Sequence, residues 1–241
     1  MHHYGIIGYP LLHSFSAKYF NEKFATEGID AEYSLYPMNE LTNERVKELM
    51  YTLDGFNVTL PHKQAIIPFL ERLDETAESI GAVNVVYKHI GYNTDCLGFM
   101  ESIRPLIREY DQKALVLGTG GASKAACYGL KKLGISPTLV SRNPKEEMLS
   151  YDELTAKVME SHTIIVNCTP LGMFPDVNSC PDIPYELISA RHLLFDCVYN
   201  PEETLFLRKG KEQGATSQNG MGMLIGQAKE AWAIWNNELE N

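Results

Sequence analysis

The sequence predicts an α/β protein of two domains, the first built on a mainly parallel sheet. Two observations carry this expectation. Short strand-like runs alternate with helix-length stretches through the first hundred residues, the pattern of βαβ units. Near residue 100 a second series begins, in which an apolar run, a glycine-rich turn and a helix-like stretch follow one another directly. With 241 residues the chain is long enough for two modest cores.

Taken in order, residues 4–8 read as a strand, and residues 16–27 as an amphipathic helix stopped by Gly28. Residues 31–36 alternate apolar and polar, as a half-buried strand does. Residues 43–52 look helical. Residues 55–60 form a strand that Pro61 breaks, and 63–70 are predicted helical. Residues 82–88 with Gly91 read as a strand entering a tight turn. Polar Asn93-Thr94-Asp95 before 96–103 reads as a helix N-cap. In the second series, residues 114–117 are a strand, 124–133 a helix ended by Gly134, and 138–141 the next strand. Residues 151–159 are helix-like, and 163–167 and 193–197 are further strands. Residues 220–237 again read as a helix, with Met223, Ile225, Ala228, Ala231, Trp232 and Trp235 as apolar positions. This helix is expected to return to the first domain. The predicted division is therefore 1–98 with 218–241 for one domain and 99–217 for the other.

Composition narrows the function. Hydrophobic residues make up 44% and charged residues 22%, ordinary for a globular protein. No apolar run approaches the ~20 residues of a membrane span, and the first residues lack the basic start and apolar stretch of a signal peptide. The formal charge of -10, without a Lys/Arg cluster, argues against a nucleic-acid partner. The five cysteines are scattered and form no CxxC pair, which fits reduced thiols in a cytoplasm. The histidines lack metal-ligand spacing, so no metal is expected.

The strongest motif is Gly118-Thr119-Gly120-Gly121-Ala122-Ser123, between the strand at 114–117 and the following helix. Gly118 allows the tight turn, and Gly120 lets the backbone approach a pyrophosphate. The first amides of the helix then face the anion. This is the arrangement of a Rossmann-type dinucleotide-binding domain. The next strand ends at Ser141-Arg142, where NAD enzymes place a carboxylate for the ribose hydroxyl. An arginine there suits a 2′-phosphate instead, so NADP is the expected cofactor.

Two segments of the first domain look chemical. In Asn57-Val58-Thr59-Leu60-Pro61-His62-Lys63 the strand gives Asn57 and Thr59 one side-chain direction. Lys63 is expected in the first turn of a helix, where the dipole and desolvation would favour proton exchange; a solvated helix lysine is the plain alternative. In Asn93-Thr94-Asp95, Asp95 either caps a helix or pairs with Lys63. With Asn84 these residues are expected to form one polar cluster.

At this point the sequence resembles the shikimate dehydrogenase family. The likeness runs through Gly8-Tyr9-Pro10, His13-Ser14-Phe15-Ser16, residues 57–63, Gly81-Ala82-Val83-Asn84, Asn93-Thr94-Asp95 and residues 118–123. It continues through Val166-Asn167-Cys168-Thr169-Pro170-Leu171-Gly172-Met173, Asp196-Cys197-Val198-Tyr199-Asn200-Pro201 and residues 220–228, all in the family's order. The resemblance implies a reversible NADP-dependent oxidoreduction between shikimate and 3-dehydroshikimate, a step of chorismate and aromatic amino-acid biosynthesis, by a cytoplasmic monomer or homodimer. Lys63 and Asp95 would be the acid–base pair. Ser14 and Ser16 would bind the substrate carboxylate, and Asn84, Asp95 and Gln227 the ring hydroxyls, with Thr59 and Tyr199 close by. Gly118, Gly120, Gly121, Ala122 and Ser123 would hold the pyrophosphate, and Ser141 and Arg142 the adenosine phosphate. Val198 and Gly220 would border the nicotinamide. Two features depart from the family. The stretch after Arg142 is compressed, and Cys197 stands where a larger apolar residue is expected. A quinate-accepting enzyme with relaxed NAD/NADP use, and a non-catalytic dinucleotide-binding regulator, are the alternatives.

Overall fold

A computed structural model of the chain describes residues 1–11 and 14–236; His13 of the serine motif and Asn237 of the last predicted helix lie outside them. The chain divides into two compact units. One comprises Met1–Thr94 with the chain from Ala228, the other Asp95–Gln227.

The first unit is built on β1 (His2–Gly8), α1 (Phe15–Glu27), β2 (Ala31–Pro37), α2 (Asn43–Thr52), β3 (Gly55–Val58), β4 (Arg72–Leu73), α3 (Glu75–Ile80), β5 (Val85–Tyr87) and β6 (Ile90–Tyr92). Its sheet has the order β2-β1-β3-β5-β6-β4. Strand β1 runs parallel to both β2 and β3, β5 runs antiparallel to β3 and β6, and β4 is parallel to β6. Side chains alternate across β1. Tyr4 and Ile6 join Phe20, Phe24, Tyr33, Ala231 and Trp235 on one face, while Ile7 joins Phe56, Val58, Val46, Leu49 and Val83 on the other. Burial of these large side chains, each worth about 1.5–3 kcal/mol, holds helices to both faces.

Several expectations needed correction. Residues 63–70 are a chain of turns ending in a 3-10 helix, Ile67–Phe69, not an α-helix. Pro68 offers no N–H to an interior turn, and the β-branched pair Ile66-Ile67 disfavours a helix further. Lys63 therefore does not sit at a helix N-terminus. The tight turn lies at Lys88-His89, both at positive φ, rather than at Gly91, which belongs to β6. Such a pair matches the twist of a two-residue hairpin. Helix α1 is capped by Ser14, whose Oγ accepts from Ala17 N at 3.4 Å, so Ser16 lies inside the first turn. Gly28 closes α1 in the left-handed conformation at φ 68, as expected.

The second unit contains α4 (Asp95–Ile103), β7 (Lys113–Leu117), α5 (Gly121–Lys132), β8 (Ser136–Val140), α6 (Ala156–Ser161), β9 (Ile164–Asn167), β10 (Leu193–Asp196), α7 (Leu205–Glu212) and β11 (Thr216–Gln218). Helix α8 (Met221–Trp235) follows, and the boundary between the units falls within it. The five-stranded sheet is parallel throughout, in the order β11-β10-β9-β7-β8. Fully buried Val116, Val166, Phe195 and Phe99 pack on one face, and Leu115, Leu117, Ile165 and Phe206 on the other. This is a doubly wound, Rossmann-type sheet whose order reverses between β7 and β9. The helix expected over 151–159 is split into a 3-10 turn, Tyr151–Glu153, and α6. Beyond β8 the compressed segment returns only as far as Leu149, which makes a single parallel bridge to Val140. Its ends are closed by Ser141 N to Leu149 O and Leu149 N to Leu139 O, both 2.9 Å.

Candidate active site

In the first unit, topology gathers the polar residues at one sheet edge. Strands β1 and β3 end there, antiparallel β5 begins there, and β6 ends there. The edge therefore receives Ser14 after β1, Thr59 and Lys63 after β3, Asn84 before β5 and Thr94 after β6. Asn84 is the hub. Its backbone oxygen accepts from Val58 N at 2.9 Å and from Asn57 Nδ2 at 3.1 Å. Its Nδ2 donates to Thr94 Oγ1 at 3.0 Å, and its Oδ1 accepts from Thr94 N at 2.8 Å. Asn57 in turn accepts from the buried Tyr33 hydroxyl at 2.6 Å. That phenol also meets the Ser16 side chain, and burial holds its pKa well above the ordinary value.

Lys63 is fixed to this hub through its backbone. Val83 N donates to Lys63 O at 2.7 Å, next to Asn84. On its other side the buried His62 ring meets Met38 O at 2.6 Å through Nε2. Asp95 follows Thr94 directly and is buried as the first residue of α4.

The second unit presents its own edge, at the C-terminal ends of the parallel strands, where ligands of such sheets bind. Gly118 leaves β7 at φ 103, a conformation that suits glycine. Gly120 is the N-cap of α5, and no side chain caps the helix. A Cβ on Gly120 would meet nothing within 4 Å, so the loop leaves an open cradle over the amides of Gly121, Ala122 and Ser123. The Ser123 hydroxyl is buried and has no hydrogen-bond partner among the described residues. An open glycine cradle at an uncapped helix start fits a pyrophosphate. Ser141 and Arg142 follow β8 beside it, since Gly118 N donates to Val140 O at 2.9 Å. Ser141 Oγ accepts from Asn143 N, and the exposed Arg142 lies close enough to Tyr151 to act on its phenol electrostatically. The carboxylate-free end of β8 fits a 2′-phosphate.

Farther along this edge stands a network to which the sequence reading gave no role. Asp196, fully buried at the end of β10, accepts from Asn167 Nδ2 and Val198 N, both at 3.0 Å, and from Thr204 Oγ1 at 2.6 Å. Asn167 Oδ1 accepts from Thr169 N at 3.0 Å and Oγ1 at 2.7 Å. Burial pushes the Asp196 carboxyl up to about 6 despite these donors. The network fixes Val198, and Gly220 N donates to Val198 O at 3.1 Å. A Cβ on Gly220 would collide with the Cys197 carbonyl. Tyr199 is partly exposed beside Val198, its pKa raised by burial. Gln227 lies on α8, where Gly226 and Gly98 bring α8 and α4 into backbone contact. Asn167 and Asp196 stood inside motifs quoted from the sequence, but their pairing depends on strand register, which no local pattern shows. Among the described residues no His/Cys/Asp/Glu group has metal-binding geometry, and no helix is long and apolar enough to cross a membrane.

Comparison with known proteins accords with this geometry. The family model for the shikimate dehydrogenase substrate binding domain matches residues 6–86. A protein of Caldanaerobacter subterraneus named shikimate dehydrogenase (NADP(+)) is 35% identical, covering 98% of this chain and 91% of its own. One of the same name from Crocosphaera subtropica is 36% identical, over 96% and 89%. The crystal structure of shikimate dehydrogenase from Aquifex aeolicus superposes with a TM-score of 0.88 at 35% identity, covering 98% of this chain and 93% of that one. The Thermus thermophilus enzyme, solved with NADP(H) and shikimate, gives 0.88 at 29% identity over 98% and 94%. The chain belongs to the shikimate dehydrogenase family.

Proposed function

We propose that the protein is an NADP-dependent shikimate dehydrogenase, interconverting shikimate and 3-dehydroshikimate on the route to chorismate. The observation that carries this reading is the attachment of Lys63 to the Asn84 hub, at the edge where β1 and β3 end. There a lysine amine, amide groups and serine hydroxyls serve one small polyhydroxylated acid. Substrate binding is assigned to residues 1–98 with the C-terminal helix, and NADP binding to residues 99–217.

The roles follow from the chemistry of each group. The Ser14 cap engages an oxygen lone pair and leaves its hydroxyl proton for a substrate carboxylate, beside Ser16. Asn84 and Gln227 offer amides to ring hydroxyls, with Thr59 and Tyr199 alongside. In the oxidative direction Lys63 Nζ takes the proton of the reacting hydroxyl, and Asp95 holds the ammonium and a neighbouring hydroxyl. In the reverse direction Lys63 returns that proton to the new alkoxide. NADP, when bound, exchanges the hydride with the same carbon. The amides of Gly118–Ser123 seat the pyrophosphate, Ser141 and Arg142 the 2′-phosphate, and the backbones of Val198 and Gly220 border the nicotinamide. The free cysteines suit a cytoplasmic enzyme, working as a monomer or homodimer.

The test is direct. Purified protein given NADP and shikimate should produce reduced nicotinamide absorbance, and NADPH should be consumed with 3-dehydroshikimate. Binding of NADPH with no turnover of either acid would favour a non-catalytic regulator instead.

A further inference from the structure

Two thiols of the second unit meet at the C-terminal edge of its sheet. Cys168 and Cys197 directly follow β9 and β10, one step beyond the registered pair Asn167 and Asp196. Cys197 N donates to Asn167 O at 2.9 Å. The two sulfurs lie 3.6 Å apart and share a hydrogen bond, and each cysteine is partly accessible. Adjacent strands stand about 4.8 Å apart, inside the range of about 4.4–6.8 Å that disulfides span between Cα atoms. Closure to a bond of about 2.05 Å asks for about 1.5 Å of sulfur movement, within reach of side-chain rotation. Nothing in the hydride chemistry uses either thiol.

We propose that Cys168 and Cys197 are a redox-active pair that closes to a reversible disulfide and thereby weakens dinucleotide binding. The effect on the dinucleotide rests on the functional reading above; the disulfide does not. Cys197 is the attacking sulfur. The hydrogen bond with Cys197, and then burial, hold the Cys168 thiol well above its ordinary pKa. Its S–H can therefore donate in the hydrogen bond that the two sulfurs share at 3.6 Å. With a hydroperoxide as oxidant, Cys197 sulfur attacks the terminal oxygen. An S–O bond forms as the O–O bond breaks, and the alkoxide leaves with the proton Cys197 gave up. Cys168 sulfur then attacks Cys197 sulfur and loses its proton. The S–S bond forms, the S–O bond breaks, and hydroxide departs as water. Two thiols and one hydroperoxide become one disulfide, one alcohol and one water. Cys127 packs in the same cluster, but burial pushes its thiol up to about 11, and Cys180 packs in the opposite core.

The bond would draw together the segments leading to Thr169 and Val198. Val198 is the backbone proposed to border the nicotinamide, so about tenfold weaker NADPH binding is expected, about 1.4 kcal/mol. The test treats the full chain with hydrogen peroxide, blocks remaining thiols, digests without reductant and maps peptides by mass spectrometry. The expected product is a peptide linked through Cys168 and Cys197, reversed by dithiothreitol and absent from Cys168→Ser and Cys197→Ser. NADPH titration by nucleotide fluorescence should show the loss of affinity and its recovery on reduction. A link through Cys127, or sulfinic acid at Cys197 without a link, would overturn the pairing. A mapped link with unchanged NADPH affinity would overturn the regulatory half. Untreated protein that fails to bind NADPH refutes the functional reading instead, since the linked peptide alone decides the disulfide.

Discussion

Replacing Asp196 by asparagine should stabilise the protein at neutral pH, an unusual result for a fully buried, fully bonded residue. Its carboxyl titrates at about 6 in the folded chain, against 3.8 for an unperturbed aspartate, because burial outweighs the donors from Thr204, Val198 and Asn167. The folded state therefore holds a proton more tightly than the unfolded one. Below 3.8 both states are protonated and the group is neutral in the balance. Between 3.8 and about 6 stability falls as pH rises, and above that the cost is fully present. At about 1.4 kcal/mol per pH unit, that cost is about 3 kcal/mol at pH 7. Asp196→Asn keeps an acceptor toward Asn167 Nδ2 and Val198 N and turns an amide toward Thr204 Oγ1, whose hydroxyl can accept. Urea unfolding should find the variant more stable than the parent by up to about 3 kcal/mol at pH 7, with the gap closing toward pH 4. Asp196→Ala should behave oppositely, leaving buried donors unpaired at about 1–3 kcal/mol each. If Asp196→Asn proved less stable by the same amount at both pH values, the carboxylate would not be carrying a burial penalty, and the reasoning would fail.

Three further outcomes are expected. Lys63→Ala should lower turnover by about 10²-fold or more while NADPH binding stays near the parent value; parallel loss of both in steady-state and binding measurements would make Lys63 a structural residue. Arg142→Ala should raise the Michaelis constant for NADP far more than that for NAD, and equal changes would mean another group reads the 2′-phosphate. Gly98→Ala should destabilise by about 1–3 kcal/mol or more, because the new Cβ would collide with Met223 O and stand 2.8 Å from Gln227 N; an unchanged melting temperature would show that α4 and α8 can separate without cost.

Much of the fold was legible because local patterns agreed with the final structure. The apolar run at 114–117, the glycine turn and the helix after it appear as β7, the Gly118–Ser123 loop and α5. The short strand β4 and helix α3 were missed: two residues show no period, and six show little more than one turn. Helix α7 was hidden by Gly210, a poor helix former that is used here because a Cβ would strike Leu194. The hairpin turn escaped because Lys88 and His89 are not the residues that usually announce a left-handed pair.

At the site, residue types were legible and their connections were not. The bonds of Asn57 to Tyr33 and Asn84 join positions 24 and 27 residues apart in sequence, and Asn167 reaches Asp196 over 29. Such pairings are set by which strands lie side by side, not by any local spacing. Lys63 is legible through its motif, but its setting is not: with Pro68 and the Ile66-Ile67 pair following, the segment folds as turns where a helix start is expected.

With Arg142 in the role proposed for it, the bridge at Leu149 bears on cofactor choice. Because both ends of residues 142–148 are tied to β8, that stretch is an interchangeable cassette rather than part of the sheet's framework. Doubling the length of a flexible closed loop costs only about 0.6 kcal/mol. A longer segment, with a second arginine or with an acidic residue, could therefore be spliced between Ser141 and Leu149 to retune the preference for phosphorylated or unphosphorylated ribose, leaving the neighbouring strands as they stand.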